Sequence, residues 1–224
     1  MAEIIVAFDQ ASGRDALALA DRLPDLSWAK IGPVLYVREG PALVREFTQR
    51  GVKVFLDLKL HDIPNTVAGA ITAARELGIH LATVHCLGGA DMLAAAVRAA
   101  GDLSLVGVTV LTSHDAGGFG RVLGRGVPDL AFEAERLARL ALDAGCKGVV
   151  ASGHEVALLR EAFGVGPWLV TPGIRGPGAP ADDQARTMEA ADAVRRGATH
   201  LVIGRPITQA ADPRAVYRAI VESL

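Results

Sequence analysis

Aromatic residues make up only 4 % of this 224-residue chain; there are two cysteines, and the formal net charge at pH 7 is just −2. Each shortage removes a class of function. A nearly neutral chain has no excess of basic surface to neutralise a phosphate backbone, and scarce aromatics leave no platforms for stacked bases. Nucleic acid is therefore not expected as a partner. No basic cluster marks a membrane-surface segment, and no apolar run is long enough to cross a bilayer. Cys86 and Cys146 lie in apolar surroundings and outside any C-x-x-C pair, which favours buried free thiols over a disulfide. The opening MAEIIVAFDQ has no basic n-region and no long apolar core, so no signal peptide is expected and the expected location is cytoplasmic.

Half of the residues are hydrophobic, enough for a large core. They fall into short apolar or β-branched runs separated by helical patterns. Strands are expected at 4–9, 28–32, 54–59, 81–88, 105–112, 148–152, 168–174 and 200–205, and clear helices at 14–23, 64–77, 129–144 and 213–224. Asp212 before Pro213 reads as a helix start. Strict β–α alternation implies a parallel sheet with helices outside, and eight units in this length point to a closed (β/α)₈ TIM barrel, a single domain over 1–224. A doubly wound open sheet is the rival, with fewer strands. The glycine- and proline-rich stretches 113–128 and 175–183 follow strands and read as long loops on the C-terminal face, where barrel enzymes hold their sites.

The third strand ends unusually. In KVFLDLKLHD (53–62), alternation puts Phe55, Asp57 and Lys59 on one face and Val54, Leu56, Leu58 and Leu60 on the other, with Asp62 just beyond. Charges there are costly unless they pair. One such cluster can be an internal salt bridge with a helix-start acid. Yet polar residues also end other strands: Asp9 the first, Lys30 the second, Thr112 and Ser113 the fifth, Arg175 the seventh, Gly204 and Arg205 the eighth. If the barrel closes, these ends share one rim. The GRPI segment after the last strand offers a backbone amide beside a guanidinium, a pairing suited to phosphate. His61 and His85 together with the acids could hold a metal, but lysines compete for those carboxylates, which favours packed or hydrogen-bonded histidines instead.

The segment DLKLHDIPNTV resembles the signature of the orotidine 5′-phosphate decarboxylase family. The likeness runs from IIVAFD to LVIGRPITQAADP, and it includes LTS at 111–113 and TPGIR at 171–175, as in the bacterial form. It implies a (β/α)₈ homodimer with shared active sites, acting on orotidine 5′-phosphate without metal or organic cofactor. By that resemblance Lys59 is the proton donor to pyrimidine C6, and Asp57 sits against the substrate carboxylate. Lys30, Asp57, Lys59 and the partner subunit's Asp62 form an alternating charge chain. Asp9, Lys30, Asp62 and Thr66 hold ribose hydroxyls, and Thr112 or Ser113 meets the base. Arg175, Gln184, Gly204 and Arg205 match the phosphate side.

Two alternatives stand beside this reading. Mg-dependent sugar-phosphate decarboxylases or aldolase-like synthases of the same superfamily share the Asp-x-Lys-x-x-Asp strand, but they place an acid where this chain has Lys30. A catalytically dead phosphate-binding barrel would be expected to have lost a charged member of the set, and none is missing here.

Overall fold

Eight of the apolar runs pair side by side, all parallel, and close on themselves. A computed structural model describes residues 2–175 and 188–224 of the chain. In chain order the strands are β1 (Glu3–Phe8), β2 (Trp28–Ile31), β3 (Lys53–Leu60), β4 (Leu81–His85), β5 (Ser104–Val108), β6 (Gly148–Val150), β7 (Trp168–Thr171), β8 (Ile174–Arg175), β9 (Met188–Glu189) and β10 (His200–Ile203). The barrel runs β1-β10-β7-β6-β5-β4-β3-β2, with β8 and β9 forming a separate two-stranded pair. This is the (β/α)₈ architecture that the alternation implied.

Period-two alternation sorts the side chains into two cores. Ile5, Ala7, Trp28, Phe55, Leu81, Val106, Val170 and Val202 fill the barrel interior. Ile4, Val6, Phe8, Val54 and Leu56 point outward into a larger layer shared with the helices. Those helices are α1 (Gly13–Asp21), α2 (Pro33–Gln49), α3 (Pro64–Glu76), α4 (Gly89–Ala100), α5 (Ala116–Leu123), α6 (Leu130–Asp143), α7 (Val156–Phe163), α8 (Ala190–Arg195), α9 (Arg205–Thr208) and α10 (Pro213–Glu222). Local chemistry sets their ends. Ser12 caps α1, and Asp212 caps α10 by accepting from the Ala215 amide at 3.0 Å. Helix α2 is broken at Gly40, whose φ of +60° precedes Pro41.

Three expectations are corrected. The fourth strand stops at His85, because Cys86–Gly88 turn into a 3₁₀ segment that leads into α4. The fifth ends at Val108 rather than at 112. Residues 113–128 are not all loop: α5 forms within them, capped by Asp115, which accepts from the Gly118 amide at 2.6 Å. Phe119 is buried against the core there, and that burial outweighs the poor helix propensity of AGGFG. Among the described residues, no helix is long and apolar enough to cross a membrane.

Candidate active site

The C-terminal ends of the strands surround a cavity of about 880 Å³. Asp9, Lys30, Asp57, Lys59, Thr112, Gly204 and Arg205 line it, over an apolar floor that includes Phe55, Val108, Val150 and Val202. Seven of the residues singled out from the sequence thus converge from five different parts of the barrel.

The charged centre is an alternating row. Lys59 Nζ donates to Asp57 Oδ1 at 2.9 Å, and Lys30 Nζ lies 3.8 Å from the other oxygen, Oδ2. Lys30 also reaches Asp9 Oδ1 at 3.4 Å. Asp57 and Lys30 have side chains only 15 % and 12 % exposed, so each charge depends on its neighbours for compensation. The row needs room as well as charge. A Cβ on Gly32 would come within 3.2 Å of Lys30 Nζ and 3.4 Å of Asp9 Oδ1, so a side chain there would crowd the pair. Sequence reading passed over this glycine.

The strand that carries the row is not regular. Phe55 pairs with Leu81 and Leu56 with Ala82, but the next partner of Val84 is Leu60, so four residues of β3 advance against two of β4. Lys59 sits in this bulge with φ +52°, the one non-glycine residue at positive φ among those described. Phe55, Asp57 and Lys59 all line the cavity and Leu58 and Leu60 pack on the outer core, as alternation implied, but the ladder register with β4 is broken. A bulge re-aims a side chain, and here the backbone of Lys59 is held in the left-handed region at a cost of about 1–3 kcal/mol. The Thr83 hydroxyl, inside the barrel on β4, accepts from the Lys59 amide at 2.8 Å and lies 3.1 Å from Asp57 Oδ1. Thr83 was also missed. Its signal was its place on the inward face of β4, two residues from Leu81 and two from His85.

Other expected residues lie elsewhere. Asp62 and Thr66 are exposed outside the cavity of their own chain, with Asp62 Oδ1 accepting from the Ile63 amide at 2.6 Å. Ser113 is exposed and does not line the cavity, whereas Thr112 does. Arg175 is in β8, and Gln184 lies outside the described residues, as does most of the expected loop 175–183. Gln10 and Gln209, given no role by the sequence reading, also line the cavity.

The histidines pack. His61 and His85 stack with centroids 5.5 Å apart, and His85 Nδ1 accepts from the Leu87 amide at 3.3 Å. Burial, followed by the neighbouring His61, Lys59 and His114, lowers the His85 pKa to about 4, so its imidazole is neutral near pH 7. Among the described residues, no group of three or more His, Cys, Asp or Glu side chains is placed to hold a metal ion. Cys86 and Cys146 are buried free thiols, and burial pushes Cys146 up to about 12.

Comparison with known proteins identifies relatives over nearly the whole chain. A sequence model described as "Orotidine 5'-phosphate decarboxylase / HUMPS family" matches residues 2–220. The orotidine 5′-phosphate decarboxylase of Alkalilimnicola ehrlichii is 49 % identical over 99 % of this chain and 95 % of its own length. That of Anaeromyxobacter sp. (strain K) is 52 % identical, over 90 % and 88 %. The crystal structure of orotidine 5′-phosphate decarboxylase from Lactobacillus acidophilus superposes with a TM-score of 0.88 at 35 % identity, covering 100 % of this chain and 99 % of that one.

Proposed function

The chain belongs to the orotidine 5′-phosphate decarboxylase / HUMPS family, and from that premise we propose that it converts orotidine 5′-phosphate to UMP in the cytoplasm, without metal or organic cofactor. The observation that carries the reading is the row Asp9–Lys30–Asp57–Lys59 in one cavity with Gly204 and Arg205.

Loss of CO₂ from an sp² carbon leaves a localised carbanion with no carbonyl to spread its charge. Such a reaction needs a fixed cation and a proton source at that carbon. The Lys59 ammonium supplies both: the electron pair of the breaking C6–carboxyl bond stays on C6 and takes the proton from Nζ, and the amine regains a proton from water. Asp57, held by two lysines, stands beside the departing carboxylate. Lys30 neutralises Asp57 and, with Asp9, binds ribose hydroxyls. Thr112, on the cavity wall, meets the base. The Gly204 amide and the Arg205 guanidinium hold the phosphate together with Arg175 and Gln184, and that remote binding energy organises the reacting end.

The exposure of Asp62, Ile63 (67 % exposed) and Thr66 supports a homodimer in which these residues complete the neighbouring subunit's site. Lysines on both sides of Asp57 make it a poor ligand for a dication, which disfavours the Mg-dependent branch. The test is an assay of purified protein on orotidine 5′-phosphate, following loss of absorbance before and after exhaustive EDTA treatment. Equal turnover in both is expected. No turnover would overturn the substrate assignment, and activity lost to EDTA and restored by Mg²⁺ would transfer the chain to the sugar-phosphate branch.

A further inference from the structure

We propose that Thr83 is the positioning residue of this site, holding Asp57 and Lys59 in mutual register through one hydroxyl group. The inference rests on the decarboxylase reading for its kinetic consequence, but its geometry is independent of substrate.

The direction of each hydrogen bond is forced. A backbone amide can only donate, so at 2.8 Å the Lys59 N–H gives its proton to Thr83 Oγ1. The hydroxyl hydrogen is then left for Asp57 Oδ1 at 3.1 Å, and an ionised carboxylate can only accept. The same Oδ1 accepts from Lys59 Nζ at 2.9 Å. Backbone of Lys59, hydroxyl of Thr83, carboxylate of Asp57 and ammonium of Lys59 thus form a closed ring. Thr83 is 1 % exposed, so solvent does not compete at its hydroxyl.

The ring forms where the sheet does not supply a regular ladder. Between the Leu56–Ala82 and Leu60–Val84 pairs, β3 bulges against β4 and Lys59 takes its positive φ. In a regular parallel ladder that amide would find a strand carbonyl. Here it finds the Thr83 side chain. The hydroxyl therefore holds the bulge that turns Lys59 toward the cavity, and with its other bond it fixes the rotation of the Asp57 carboxylate. A misplacement of about 1 Å in such a pair can cost about a hundredfold in rate.

Two substitutions separate this role from packing. Thr83→Val keeps the volume and removes the hydroxyl; Thr83→Ser keeps the hydroxyl and removes a methyl. Positioning predicts that valine lowers kcat about a hundredfold with KM changed no more than about threefold, while serine stays within about threefold of the parent. A packing role predicts the reverse order, and parental turnover in the valine variant overturns the proposal. Should valine prevent folding, Thr83→Cys against Thr83→Ser decides it, since the two are alike in shape but the thiol is a weak hydrogen-bonding group. Cysteine at least tenfold below serine supports the ring; equal rates overturn it. A crystal structure of an unliganded variant lacking the hydroxyl gives the readout that needs no substrate. The 2.9 Å contact between Lys59 and Asp57 should open, and an unchanged contact overturns the proposal. If instead the parent is silent on orotidine 5′-phosphate while that contact opens, the substrate reading fails and the positioning role stands.

Discussion

The two ends of the barrel are built from the same strands and obey opposite rules. On β2, Trp28 marks the N-terminal end and Lys30 the C-terminal end; on β3, Lys53 and then Asp57 and Lys59; on β10, His200 and then, just beyond the strand, Gly204. The N-terminal end is sealed. Trp168 and Trp28 pack on His200 with centroids 4.5 and 6.0 Å away, and Lys53 and Lys147 lay their ammonium groups over the two indoles at 5.1 and 5.7 Å. Charge is present there, but it stays at the surface and leans on π faces. At the C-terminal end, charge is drawn inward beside the apolar floor and is compensated by other charge and by the Thr83 hydroxyl. An aromatic plug stabilises by area and shape, whereas a row of ions has little net stabilising value and a large capacity for chemistry. Breaking one end should therefore cost stability, and breaking the other should cost rate.

The largest expected effect is at the top. Lys59→Ala should reduce kcat by at least about a thousandfold, because stabilisation and protonation of the carbanion are lost together. The melting temperature should move by only a few degrees, since the Lys59 side chain is 35 % exposed and Asp57 keeps Lys30 and the Thr83 hydroxyl as partners. Near-parental turnover would remove Lys59 from its role. The same rim gives a test of subunit sharing. When inactive Lys59→Ala and Asp62→Ala subunits exchange at random, about half the dimers are mixed and each has one intact site, so about a quarter of sites should regain activity. With exchange demonstrated by pull-down, background activity alone would place the whole site in one chain.

The plug comes next. Trp28→Ala should destabilise the protein by about 3–5 kcal/mol in denaturant unfolding while leaving kcat of the folded fraction within a few-fold of the parent. A rate loss as large as that of Lys59→Ala would mean the two ends are not separable. Arg205→Ala should then raise KM for the phosphorylated substrate about 10- to 100-fold, the scale of charge-assisted hydrogen bonds to phosphate, and leave turnover of the unphosphorylated nucleoside unchanged. Equal losses on both substrates would mean that Arg205 serves the fold.

The last effect is one of pH, and it belongs to the sealed end. Burial lowers His200 from 6.5 to about 4. Between those values the unfolded chain binds a proton that the folded chain refuses, so stability falls as pH drops from 6.5 towards 4. The contribution is on the order of 3 kcal/mol. Urea unfolding of the parent and of His200→Phe across that window should differ in slope, with the variant flatter. His85, lowered in the same direction by burial and by neighbouring His61, Lys59 and His114, contributes a remaining slope.

Much of this organisation was legible in the chain. Short apolar runs such as IIVAF and WAKI, separated by helical patterns, are enough to order the strands and helices, and DLKLHDIPNT singles out one strand because charges so close to a barrel core demand a reason. Other features were not legible. Thr83 looks like any β-branched strand residue, Gly32 like any loop glycine, and AGGFG like a loop until Phe119 finds a core to enter. Alternation put Phe55, Asp57 and Lys59 on the right face, but the bulge at Lys59 was not legible because register belongs to two strands at once, and no single strand states it.

What the sequence by itself determined was the alternation of strands and helices, the identity of the charged groups and their order along the chain. Those properties follow from local spacing and side-chain chemistry, which one segment carries alone. Tertiary structure alone decided that Asp9, Lys30, Asp57 and Lys59 form one row, that Asp62 lies outside its own cavity, and that a hydroxyl on β4 joins the Lys59 backbone amide to the Asp57 carboxylate. The physical reason is closure: only when eight strands tilt into a ring does a single register set the distances between residues far apart in the chain.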